Sequence, residues 1–136
     1  MRKIIVPIIV VIIGALGFAT FKLAQDGFDI TVENNTKKEV SGLYLTYDDI
    51  KSDIKIPSVP SGEKYTINVD PNEDSNNNFS EAALKLEYKD NKGKLHTEYV
   101  IGYFEKGYSG KADINIKSID ENGKLKVEII DNISLY

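Results

Sequence analysis

Leu84-Lys85-Leu86-Glu87-Tyr88-Lys89 alternates an apolar with a charged side chain at every step. Successive side chains of an extended strand point to opposite faces, so this hexamer lays one face on a core and the other in water. Outward from it the same period recurs in both directions. Phe28, Ile30 and Val32 alternate with polar neighbours, as do Leu43, Leu45 and Tyr47, then Tyr65, Ile67 and Val69. Downstream, Ala112, Ile114 and Ile116 repeat the pattern, followed by Leu125, Val127 and Ile129. Turn-forming clusters separate the runs: Asn34-Asn35-Thr36-Lys37-Lys38, Pro60-Ser61-Gly62-Glu63, Asp90-Asn91-Lys92-Gly93 and Asp120-Glu121-Asn122-Gly123. Asp-x-x-Gly-Lys-Leu occurs over both 90–95 and 120–125, as two hairpins with the same turn requirement would have it, and Asn122-Gly123 favours a tight one.

With a short strand over 54–56 closed by Pro57, the pattern predicts an all-β fold. The expected architecture is an immunoglobulin-like antiparallel β-sandwich of seven or eight strands. Little room remains for helix after residue 24, since only residues 80–86 lack a turn former and carry Ala.

The start of the chain is of another kind. Residues 4–21 read IIVPIIVVIIGALGFATF, without a charge, behind Met1-Arg2-Lys3. A helix of that length rises roughly 27 Å, close to the hydrocarbon thickness of a bilayer. Arg2, Lys3 and the α-amine outweigh Lys22, with Asp26 and Asp29 beyond. The positive-inside bias therefore puts the N-terminus in the cytoplasm and the rest of the chain outside. The expected organisation is a signal-anchor or transmembrane helix over 1–24 and an extracytoplasmic β-sandwich over 25–136. Cleavage after Ala19, with Gly17 and Ala19 as the small residues of the site, is the competing reading and would make the protein secreted.

Composition excludes several chemistries. Cysteine is absent from the 136 residues, which removes disulfides, thiol nucleophiles and Cys-ligated metals. One histidine, His96, leaves little for imidazole catalysis. It sits between Lys94 and Glu98 and is expected in solvent. The net charge of −4 comes from 17 basic and 21 acidic residues. Arg2, Lys3 and Lys22 flank the apolar segment, so the other 14 basic residues face all 21 acids and the exterior region carries −7. Such a balance argues against nucleic acid and makes a cationic partner more plausible.

Two local patterns stand out. From Asp70, oxygen-bearing side chains fall on positions 1, 3, 5, 7 and 9, with Glu81 at position 12, the spacing of a calcium loop. Asp70, Asn72, Asp74, Asn76 and Glu81 are thus the candidate calcium ligands, although Ser75 stands where the loop's sharp turn wants Gly. The competing reading is a solvated polar loop. The second pattern is Val100-Ile101-Gly102-Tyr103-Phe104, where alternation fails, followed by the Gly-flanked Tyr108. Tyr99, Ile101 and Tyr103 are expected to share a strand face. Tyr103, Phe104 and Tyr108 are the candidate partner-binding residues, since aromatic side chains give rigid contact area.

Asn34-Asn35-Thr36, Asn78-Phe79-Ser80 and Asn132-Ile133-Ser134 match the glycosylation acceptor pattern, but a lysine-rich, asparagine-rich sequence with one arginine suits an AT-rich bacterium. The layout is similar to that of small membrane-tethered β-sandwich proteins of Gram-positive bacteria. The expected role is non-enzymatic: binding an unknown protein partner, or an envelope-associated function, including that of an immunity-type protein. The alternative is a secreted ligand- or calcium-binding module.

Overall fold

The computed structural model describes residues 27–77 and 79–134; the predicted membrane helix over 1–24 lies outside them. Among the described residues no helix is long and apolar enough to cross a membrane. Eight strands and one helical turn are described: β1 (Gly27–Asn34), β2 (Tyr44–Thr46), β3 (Ile54–Lys55), β4 (Lys64–Val69), α1 (Pro71–Asp74), β5 (Glu81–Lys89), β6 (Leu95–Glu105), β7 (Ser109–Ile119) and β8 (Leu125–Ser134). They form two four-stranded sheets, in the orders β4-β1-β7-β8 and β3-β2-β5-β6. The all-β sandwich is as expected.

Alternation becomes burial directly. In β1 every second residue is buried, with Phe28, Ile30 and Val32 at 0% exposure. They meet Leu45, Leu84 and Leu86 of the other sheet in one hydrophobic core. The sandwich is not antiparallel throughout, however: β1 runs parallel to β7, from Gly27 opposite Ser109 to Asn34 opposite Ile116. A period of two fixes which face a side chain takes and says nothing of strand direction. Parallel neighbours need a long crossover, and here the second sheet forms part of it.

The repeated Asp-x-x-Gly-Lys-Leu is one turn used twice. Asp90 Oδ1 accepts from the Lys92 and Lys94 amides at 2.8 and 3.0 Å, and Asp120 Oδ1 from the Asn122 and Lys124 amides at 2.8 and 2.9 Å. Gly93 and Gly123 take φ of 80° and 84°, which a side chain resists. The Asn-Gly pair therefore does not form a two-residue hairpin; its glycine closes a wider loop as the left-handed residue after the turn. The two hairpins belong to different sheets and touch: the Asn91 amide donates to Asn122 O at 2.9 Å.

Candidate functional site

β6 is the edge strand of its sheet, paired to β5 alone. Its register breaks twice: Lys85 opposes Tyr99 but Leu84 opposes Ile101, and Ala82 opposes Phe104. Each break leaves an extra residue on β6, as in a β-bulge. Val100 and Ile101 consequently both turn inward, at 2% and 1% exposure, while Gly102 and Tyr103 both turn outward. Tyr99, Ile101 and Tyr103 therefore do not share a face, contrary to the expectation from spacing. Tyr99 and Tyr103 stand out at 64% and 49% exposure. A Cβ built on Gly102 would meet nothing within 4 Å, so bare backbone separates the two rings.

Phe104 is placed elsewhere. It is at 0% exposure, edge-on to Phe28 and Tyr47 at 5.2 Å each and 5.6 Å from Phe79. Its candidacy as a surface contact is corrected to a core role, because the bulges rotate it into the sandwich. Tyr103 and Tyr108 remain together, with ring centroids 6.1 Å apart. The Tyr103 hydroxyl lies 2.8 Å from Glu105 Oε2 and 3.0 Å from Glu81 Oε2, and can donate its single proton to either. Tyr108 donates to the same Glu105 oxygen at 3.1 Å. Hydrogen bonding to Glu105 and then Glu81 holds the Tyr103 phenol far above its ordinary pKa, so the ring stays neutral. On the same outer face, Tyr44 opposes Glu87 across β2 and β5, and its phenol is also raised, by burial first and then by Glu87. The result is a set of tyrosine rings interleaved with carboxylates, suited to an ammonium or guanidinium group.

The predicted calcium ligands are spread over different tasks. Asp70 caps α1, its Oδ1 accepting from the Asn72 amide at 3.0 Å, with Pro71 in the first turn. Asp74 Oδ2 accepts from the Asp70 amide at 3.2 Å, and burial pushes the Asp74 carboxyl up. Asn76 donates its amide to Asp49 O at 2.7 Å, and Glu81 begins β5 beside Tyr103. Ser75 is buried and bonded through Oγ to the Tyr47 hydroxyl at 2.8 Å. Among the described residues no group of three acidic or His side chains is placed to hold a metal ion.

His96 is not in solvent. It faces Tyr88 across β5 and β6, stacks on that ring at 5.1 Å, and bonds through Nε2 to Asp90 Oδ2 at 2.9 Å. The bond from His96, with the Lys94 and Lys92 amides, pulls the Asp90 carboxyl down to about 2. An unfolded Asp titrates near 3.9, so the pairing stabilises the fold above roughly pH 4 and is lost as pH falls toward 2. Asp90→Asn is expected to flatten that acid limb in a plot of Tm against pH; an unchanged limb would assign it to other groups.

No family model matches the chain, and neither does any curated protein. Among solved structures, an NMR structure of a protein from Eubacterium rectale matches 78% of this chain and 93% of that one, at 20% identity and a TM-score of 0.42.

Proposed function

We propose that the chain is a single-pass membrane protein, held through residues 4–21, whose immunoglobulin-like domain binds a protein partner outside the cytoplasm without catalysing a reaction. The observation that supports this reading best is the exposed Tyr99 and Tyr103 on an edge strand beside Glu81 and Glu105. Exposed aromatic rings of this kind are over-represented where proteins meet. Position adds to it. Ser109, next to Tyr108, pairs with Gly27, where the described chain begins. With an anchor ending at residue 24, the tyrosine surface would lie close to the membrane. A partner there is itself membrane-bound or docked at the bilayer, with a lysine or arginine for the carboxylates.

The test uses the full-length chain extracted from membranes. N-terminal sequencing should find Met1 or Arg2, and loss of the first 19 residues would replace the anchored protein with a secreted one. For any partner captured by cross-linking, Tyr99→Ala with Tyr103→Ala should weaken binding at least tenfold. Stability should change by no more than about 0.5 kcal/mol, as for surface substitutions generally. Unchanged affinity would show that this is not the docking surface.

A further inference from the structure

Directly opposed residues on antiparallel strands are close neighbours, and like charges set there destabilise the pair. Glu81 lies opposite Glu105 where β5 begins and β6 ends. Both carboxylates bring an oxygen to the Tyr103 hydroxyl, at 3.0 and 2.8 Å, and that hydroxyl has one proton to give. The second phenol, Tyr108, donates to the Glu105 oxygen that Tyr103 already faces. The ion pairs among the described residues, Lys85 with Asp48, His96 with Asp90 and Lys117 with Glu128, leave Glu81 and Glu105 out. Lys106, next in sequence to Glu105, places its ammonium over the Phe79 ring at 6.0 Å. The fold therefore keeps an opposed pair of carboxylates without supplying a cation. Local rules are broken in this way at functional sites.

Aromatic rings bound the same spot. Tyr103 and Tyr108 meet at 67° with their centroids 6.1 Å apart, two walls set at an angle rather than a stack. Gly102, next to Tyr103, also faces outward, and a Cβ there would meet nothing within 4 Å. The bare backbone leaves room for an aliphatic stem along β6, between Tyr99 and Tyr103.

Granted the docking face proposed above, we infer that this corner seats a single arginine side chain of the partner. A guanidinium presents a planar fork of N–H donors, which can span two carboxylates held on different strands while its plane lies against a tyrosine ring. An ammonium is a compact, strongly hydrated charge with no plane to stack, so it matches the corner less well. The cation also offsets the opposition of Glu81 and Glu105. Affinity and stability therefore trade against each other at this pair.

Full-length protein in a neutral detergent, titrated with acetyl-Gly-Arg-Gly-amide and with its lysine counterpart, provides the test, read from the NMR signals of isotope-labelled tyrosine rings. The arginine peptide should shift the Tyr103 and Tyr108 signals saturably and bind about fivefold more tightly than the lysine peptide. Glu81→Gln should weaken it about threefold yet raise Tm by about 1–5 °C, because the like-charge neighbour is gone. Gly102→Leu adds a side chain where nothing stands in the way of its Cβ, and should block the peptide without lowering Tm. Equal binding of the two peptides, or unchanged affinity in Glu81→Gln, would overturn the assignment to arginine. Should the arginine peptide fail to bind while a captured partner still depends on Tyr99 and Tyr103, the docking face would stand and its arginine anchor would fall.

Discussion

Phe104→Ala is expected to cost about 3–5 kcal/mol, the range for truncating a buried aromatic residue. The side chain is fully enclosed, with Phe28 and Tyr47 presenting edges at 5.2 Å and Phe79 tilted at 5.6 Å. Its neighbours cannot easily close the gap. Tyr47 is tethered through its hydroxyl to Ser75, and Phe28 belongs to a strand paired on both sides, with β4 and with β7. A cavity left among immobile rings retains most of its energetic cost. Domains of this size are stable by only about 5–15 kcal/mol, so the variant should lie near the edge of folding. Urea unfolding followed by circular dichroism reads the effect as a large drop in midpoint at an unchanged slope. Tyr103→Ala, one residue away and facing solvent, should move the midpoint little. If the two variants moved it equally, Phe104 would not be the core residue described, and the bulges that turn it inward would be in question.

That pair of neighbours also shows where the sequence was legible. Strands β1, β5, β7 and β8 could be read because each holds an apolar face against one core, and a period of two survives any choice of partner. β6 broke the reading because its bulges depend on how it pairs with β5, which its own pattern does not record. An odd-numbered set, Tyr99, Ile101 and Tyr103, therefore divided between solvent and core. His96 was misplaced for a related reason. The even residues face inward at the start of β6, but the edge of the sandwich is open enough there for an imidazole, and Asp90 of the preceding turn supplies its partner. The turn α1 carried its signal in plain view, an Asp cap followed by Pro in the first turn. The oxygen spacing of residues 70–81 is shared by a calcium loop and a polar loop, and neither pattern marks the helical turn within it. The tyrosine surface is half visible: Tyr103 and Tyr108 stand out where alternation fails and glycines flank the loop, whereas the exposure of Tyr99 needs the register. Residues 37, 38 and 117 become neighbours only through the parallel pairing of β1 with β7, which the pattern of neither strand records.

Asn34 pins the turn after β1 to the fold, and Asn34→Ala is expected to cost about 2–4 kcal/mol. Its side chain is completely buried, which also removes it as a glycan acceptor. Nδ2 donates to Lys38 O and Val59 O at 2.8 Å each, while Oδ1 accepts the Thr36 amide at 2.9 Å and its hydroxyl at 2.7 Å. Truncation strands these groups, and a buried group left unpaired costs about 1–3 kcal/mol. It also releases the turn after β1 that carries Lys37 and Lys38. Asn34→Asp separates shape from hydrogen bonding. The carboxylate keeps the acceptor for Thr36 but sets a second, charged oxygen against the Lys38 and Val59 carbonyls, which raises its pKa above the unfolded value. Stability lost at neutral pH should therefore return as the group protonates on acidification. Melting curves at pH 7 and pH 5 should show Asn34→Asp closer to the unaltered chain at the lower pH and Asn34→Ala equally far from it at both. A pH-independent deficit in the aspartate variant would mean that the two carbonyls do not face this side chain.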